Sequence, residues 1–200
     1  MLDYLKRNLG SYRLYPDEDS WFSPSHQAAD KKLEPLPELS RILLASDGSM
    51  TQMLETIFLS NVSINIKRQE TVYPSMDVTS FAGLQEGSSA LLREGWLTVD
   101  DRPLVYVQSL LFVLDDGILP LSMIREFDKP LGKIMRSENL KTFRDSFYIG
   151  KLTSPDIAKE LDLDVDKSFW SRFYRLTTDQ GLTGVMFELF CPWLLKTGRG

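Results

Sequence analysis

Two ionisable residues stand where buried strands are expected. Arg93 lies in LLREGWL (91–97), and Glu188 is the one charged residue in the run GVMFELFCPW (184–193). A buried charge is costly unless it is paired or hydrogen-bonded, so each residue needs a partner. An arginine facing an enclosed pocket can clamp a ligand carboxylate with two parallel N–H donors. A desolvated glutamate in the same pocket suits proton transfer or the holding of a hydroxyl. The plainer reading makes both of them solvent-face charges, or joins Arg93 and Glu188 in one structural cross-strand pair.

Strand alternation sorts these side chains by face. In 88–99, Leu91, Arg93, Gly95 and Leu97 share one face, and Leu92, Glu94, Trp96 and Thr98 share the other. Arg93 and Glu94 therefore point in opposite directions and cannot pair. Gly95 leaves room beside Arg93 for a close approach. Met186, Glu188 and Phe190 share a face of their strand. In 168–178, Trp170, Arg172 and Tyr174 oppose Phe169, Ser171, Phe173 and Arg175. Arg68 falls on the face of Ile64, Ile66 and Glu70. The pattern gives Arg68, Arg172 and Arg175 no role.

Other chemistries find little support. One cysteine, Cys191, and one histidine, His26, make no disulfide and no His/Cys zinc site. Cys191 reads as a small buried hydrophobe, His26 as an exposed residue of a polar segment, and Trp96, Trp170 and Trp193 as core or interface. KELDLDVDK (159–167) lacks the spacing and central glycine of a calcium loop. Neither a G-x-G-x-x-G turn nor a P-loop is present, so nucleotide cofactors find no support. A net charge of −5 argues against nucleic acid as the main partner. The N-terminus lacks the basic flank and apolar core of a signal peptide, and no apolar run reaches the roughly 20 residues of a membrane span. These features predict a cytoplasmic protein and leave a small anionic ligand open.

The elements that must position Arg93 and Glu188 follow from periodicity. Residues 1–35 are polar and proline-interrupted beyond a short helix near 2–9, and read as an arm before a domain at 36–200. PELSRILLAS (37–46) and SMTQMLETIFLS (49–60) have helical spacing, the second capped by Ser49. Strands are expected at 61–73, 88–99, 103–114, around 143–150, at 168–178 and at 184–193, with DDRP and DQGLT as hairpin turns. Helical patterns cover 118–137, with Pro130 opening PLGKIMRS at its first helical position, and 154–162, capped by Ser154. The sum is an α+β fold, an antiparallel sheet of about six strands with helices on one face.

Four segments in order, within about residues 36–194, resemble the chorismate lyase (chorismate pyruvate-lyase) family, most closely its cyanobacterial, plastid and actinobacterial branch. They are Asp47-Gly48-Ser49-Met50-Thr51 with Leu54-Glu55, Leu92-Arg93-Glu94 before the Asp-Arg-Pro turn, Lys129-Pro130-Leu131-Gly132, and Glu188-Leu189-Phe190-Cys191-Pro192. Two departures stand out: Gly48 is inserted before Ser49, and SFWSRFYRL replaces a Gly-Arg-rich strand. The resemblance implies a cofactor-independent lyase that converts chorismate to 4-hydroxybenzoate and pyruvate for quinone or phenolic lipid biosynthesis, in the cytoplasm or, for a plastid-encoded member, the stroma. It implies that Arg93 binds the ring carboxylate and that Glu188 meets the ring hydroxyl and the leaving group. Glu188 would either protonate the enolpyruvyl methylene or only orient the hydroxyl. Met50 and Leu131 would belong to flaps over the ligand, with Leu131 offering its backbone N–H. The alternative is a non-catalytic small-molecule-binding domain of the same fold, like the effector domains of GntR-type regulators, which SPDIAKELDLDVDKSFWSRFYRL also resembles.

Overall fold

The computed structural model describes residues 10–24, 28–113, 124 and 128–195. The expected helix near 2–9, His26 and most of 114–127 lie outside them. Among the described residues, seven strands form one sheet: β1 (Tyr15–Phe22), β2 (Ser63–Val72), β3 (Ala90–Val99), β4 (Arg102–Val113), β5 (Thr142–Thr153), β6 (Ser168–Thr178) and β7 (Leu182–Phe190). Their order is β1-β5-β6-β7-β4-β3-β2, and the pairings are antiparallel throughout. The helices are α1 (Ala28–Leu33), α2 (Glu38–Ala45), α3 (Met50–Phe58), α4 (Met76–Phe81), α5 (Leu131–Ser137) and α6 (Pro155–Glu160). Among the described residues no helix is long and apolar enough to cross a membrane.

The antiparallel α+β architecture is the one the pattern predicts, with one strand more. The additional strand, β1, reads YPDEDSWF and has no alternation to betray it. Its proline and acidic residues suit an edge, where unpaired backbone and charge face water. Its inner end is anchored by Trp21, whose ring occupies the place a Cβ of Gly150 on β5 would take. Local signals set most other boundaries. Asp100 and Asp101 both adopt positive φ, at 48° and 60°, which closes the β3–β4 hairpin in two residues. Ser154 accepts a hydrogen bond from the Ile157 amide at 3.3 Å, with Pro155 next in line, and so starts α6. Pro130 is the N-cap of α5, not its first helical residue as expected, and the helix starts one residue later at Leu131.

Helices α2, α3 and α5 cover one face of the sheet. Residues 10–14 and the six-residue helices α4 and α6 close the other, contributing Tyr12, Leu14, Val78, Ile157 and Ala158 to a common core with Leu92, Phe173 and Phe187. The central strands β3 and β7 are consequently buried along their whole length. Arg93 and Glu94 face opposite sides, as alternation requires. Glu94 points to the back, where it accepts from Tyr106 Oη at 2.7 Å and from the Ser11 amide at 3.0 Å. The segment before β1 is thus tied down beneath the sheet by a carboxylate adjacent in sequence to Arg93.

Gly95 has a purpose different from ligand access. A bulge in β2 between Ile66 and Arg68 presses that strand against β3, and a Cβ at Gly95 would lie 2.3 Å from the Asn65 carbonyl oxygen. The close approach is by neighbouring backbone, which has no rotamer to move aside. Gly95→Ala is expected to cost about 1–3 kcal/mol, the usual toll of forcing a methyl group into a packed site. It should lower the urea midpoint at unchanged slope; an unmoved midpoint would mean that β2 yields freely.

Candidate active site

One pocket lies between the sheet and the starts of two helices. Its floor is made by alternate residues of neighbouring strands: Arg93 and Leu97 of β3, Val107 and Ser109 of β4, Met186 and Glu188 of β7, and Tyr174 and Leu176 of β6. Its roof comes from Ser49, Met50 and Thr51 at the start of α3 and from Leu131, Gly132 and Met135 of α5. Arg144 of β5 closes one side. The space, counted with the solvent at its mouth, is about 550 Å³. All four residues singled out in the sequence, Met50, Arg93, Leu131 and Glu188, line this pocket.

The registers explain the convergence. Arg93 stands opposite Ser109, Ser109 opposite Met186, and Met186 opposite Tyr174, which sets one row across the floor. Gly95, Val107, Glu188 and Arg172 form the next row. Arg93 and Glu188 are therefore two strands and one row apart, and Glu188 takes a different partner from the cross-strand one considered above. Arg172, directly opposite it, donates through Nε to Glu188 Oε2, while Tyr174 Oη donates to Oε1 at 2.9 Å. Glu188 is an ion-paired carboxylate, not the lone desolvated acid the sequence suggests.

Arg172 is completely buried. Its Nη1 donates to the carbonyls of Leu43 at 3.0 Å and Ser46 at 2.9 Å, so it caps the C-terminal end of α2, where a cation is favoured. The rings of Phe147, Tyr174 and Phe190 surround its guanidinium at 5.4 to 5.7 Å. Burial drags its pKa down, but Glu188 beside it more than restores the charge and leaves it above the ordinary value. Tyr174 is pushed up to about 12 by burial and by Glu188, so it remains a hydroxyl donor at neutral pH.

Arg93, 2% exposed, donates through Nη2 to the Lys129 carbonyl at 2.5 Å, at the entry to α5. Burial lowers its pKa to about 10 against the opposing pull of Asp128, and it stays a cation near neutral pH. The insertion of Gly48 does not disturb the α3 start: Ser49 is its N-cap and accepts from the Gln52 amide. The two roof helices meet at Gly132, where a Cβ would come within 2.7 Å of Ser49 Oγ and 3.0 Å of Thr51 Oγ1. Glu55 of α3 adds a second tie, to Lys133 Nζ at 2.7 Å and Arg136 Nη2 at 3.3 Å on α5.

Sequence reasoning missed Arg144. A bulge in β5 between Asp145 and Tyr148, with Ser146 at φ 47°, changes the face parity along that strand. Beyond it Phe147 turns inward to stack on Tyr174, with centroids 5.3 Å apart. Arg68 and Arg175 lie outside the pocket, paired with Glu70 and Asp145. Cys191 is buried, and burial pushes its thiol up.

Because Arg172 has no access to water, its charge and that of Glu188 depend on each other. Arg172→Met should destabilise the protein by about 3–5 kcal/mol, the cost of stranding a buried charge. Arg172→Met/Glu188→Met should recover most of that loss in urea denaturation. Equal losses in the single and double variants would show that Glu188 does not rely on the arginine.

The family model described as chorismate pyruvate-lyase Rv2949c-like matches residues 44–197. A candidate lyase, MJ0807, of Methanocaldococcus jannaschii is 31% identical over 135 residues, which span 65% of this chain and 65% of that protein. Among solved structures, PhnF from Mycobacterium smegmatis superimposes with a TM-score of 0.57 at 15% identity, covering 76% of this chain and 67% of its own. A GntR-family transcriptional regulator from Bacillus cereus gives 0.51 at 12% identity, covering 70% and 97%. Those two likenesses establish a shared fold. The family match takes in every pocket residue named above, and the chain belongs to the Rv2949c-like chorismate pyruvate-lyase family.

Proposed function

We propose that this protein is a chorismate pyruvate-lyase. The observation that carries the reading is the polarity of the pocket: apolar walls, a buried arginine on one strand and a hydrogen-bonded carboxylate two strands away. Such a site suits a flat ring with a carboxylate at one end and a hydroxyl at the other. In this reading Arg93 holds the ring carboxylate of chorismate, and Glu188 with Tyr174 meets the hydroxyl and the ether at the far side. In the same reading Met50 and Leu131 close over the ring, and the Leu131 amide, at the start of α5, donates to the ligand.

The reaction breaks the ring C3–O bond and moves the C4 hydrogen to the enolpyruvyl methylene. Chorismate becomes 4-hydroxybenzoate and pyruvate with no atom added and no net redox change. Aromatisation drives the step, so the protein must chiefly position the ring and exclude water. An ion-paired carboxylate accepts hydrogen bonds or a proton and has none to give at the outset. Glu188 therefore orients the C4 hydroxyl, or takes the C4 hydrogen and passes it on. The aromatic acid would supply quinone or phenolic lipid synthesis in the cytoplasm or plastid stroma.

The decisive test is to add chorismate and follow 4-hydroxybenzoate by absorbance and pyruvate by a coupled assay, with one-to-one release expected. Glu188→Gln should lower kcat by about 10²–10⁴-fold, the usual range for loss of a positioned acid–base group. Arg93→Ala should mainly raise KM, with a loss of about 2–5 kcal/mol in kcat/KM as for other buried charge contacts. Added 4-hydroxybenzoate should inhibit, because a roofed site releases its product slowly. Tight binding of 4-hydroxybenzoate without any turnover of chorismate would instead identify a ligand-binding domain.

A further inference from the structure

The pocket holds a second ligand-facing arginine. Arg144 stands opposite Leu176 on β5, beside Tyr174, with its guanidinium 5.8 Å from the tyrosine ring centroid. Its Nη1 is fixed by two neutral acceptors, the Asp47 carbonyl at 2.8 Å and Thr142 Oγ1 at 3.3 Å. Its Nε is buried and makes no hydrogen bond. Among the described residues no carboxylate pairs with it. Asp145, its neighbour in sequence, points to the other side and is taken by Arg175 at 2.7 Å. Elsewhere in the site the protein supplies its own counter-charge, as Glu188 does for Arg172. Here it supplies none, although a partly desolvated guanidinium gains strongly from an anion.

Arg144 also stands at a junction. A second, more open cavity, about 720 Å³ with the solvent at its mouth, lies beyond it, and Ser49, Gly132, Met135 and Arg144 line both spaces. The inner pocket is walled mainly by Leu, Val, Ile and Met side chains. The outer one adds Gln52, Arg136, Asn139 and Thr142, which makes it polar and cationic. The inner space thus suits a ring, and the outer space suits a small, charged, hydrogen-bonding molecule.

We propose that Arg144 binds the second carboxylate of the substrate, that of the three-carbon enolpyruvyl group, and that the outer cavity is a subsite for the short 2-oxo acid released there. This rests on the chorismate lyase reading. Chorismate carries two carboxylates on different carbons, and Arg93 can serve only one of them. Arg93 and Arg144 are rooted on β3 and β5, four strand spacings or roughly 19 Å apart along the sheet, and both line the same pocket. They therefore approach a ligand from opposite sides. Glu188 and Tyr174 lie between them, where the scissile ether must sit. The two products would then leave separate anchors: 4-hydroxybenzoate keeps Arg93, and pyruvate keeps Arg144.

The test compares wild-type protein with Arg144→Gln and Arg93→Ala by equilibrium binding of chorismate, 4-hydroxybenzoate and pyruvate, alongside turnover. Arg144→Gln should weaken chorismate at least tenfold and abolish competitive inhibition by pyruvate, while 4-hydroxybenzoate binds within twofold of wild type. That retained affinity also reports an intact fold. Arg93→Ala should weaken both aromatic ligands, and Arg144→Lys should recover part of the pyruvate inhibition. Equal effects of Arg144→Gln on chorismate and 4-hydroxybenzoate, or none on chorismate, would overturn the subsite. A wild-type protein that binds chorismate through Arg144 but never converts it would retain the subsite and refute the lyase reading. One that binds neither aromatic ligand would refute both.

Discussion

The site depends on one buried ion pair. Arg172 projects from the centre of the sheet into the helical layer with no exposure to water, and two neighbours make that tolerable. Glu188 compensates its charge across the β6–β7 ladder, and the last carbonyls of α2 accept from its Nη1. Removing either partner leaves a desolvated charge, whereas removing both leaves an ordinary apolar core. The same contact therefore docks α2 on the sheet and fixes the carboxylate that faces the pocket. Stability and the proposed function share a side chain here, so the orientation of Glu188 is set before any ligand arrives.

The roof obeys a different constraint. The starts of α3 and α5 must lie close enough to seal a ring-sized space, and a glycine where they cross spares the Ser49 and Thr51 side chains from shifting. Gly132 meets that need against Ser49 and Thr51. Glu55 then joins the helices through Lys133 and Arg136. Partly exposed pairs of this kind contribute little to stability, so the roof is tied by contacts weak enough to open. Arg93 adds a tie of its own through the Lys129 carbonyl, which links the pocket cation to the entry of α5.

How much of this the sequence discloses depends on whether a feature is local. Strand alternation alone places Arg93 and Glu94 on opposite faces and puts Tyr174 beside Arg172, because a period of two needs no knowledge of neighbours. The Ser49 and Ser154 caps and the Asp100–Asp101 turn are equally local. The partner of Glu188 is not, since it follows from the register of β6 on β7, which alternation cannot supply. Arg144 is hidden by the bulge at Ser146, which breaks the parity on which face assignment rests. β1 is hidden by its own composition: a proline and three acidic residues suit an edge strand and look like a loop. Gly95 shows the reverse failure. A glycine beside a candidate binding residue suggests room for a ligand, yet the β2 backbone fills that room.

The pair Arg93-Glu94 shows how one strand can do two jobs. With β3 buried on both faces, adjacent residues address opposite sides of the molecule. Arg93 faces the pocket and the entry of α5. Glu94 faces the back, where Ser11, Tyr106 and Gln108 donate to it and the segment before β1 is pinned. A one-residue slip of β3 would exchange the two, burying a cation among the back-face acceptors and an acid in the pocket. Register in this strand is therefore held from both sides by charge as well as by apolar packing. That double constraint explains why polar residues can occupy the middle of a wholly buried strand. It also gives the proposed ring-carboxylate anchor a fixed origin, against which the carboxylate of Glu188 and the guanidinium of Arg144 are measured.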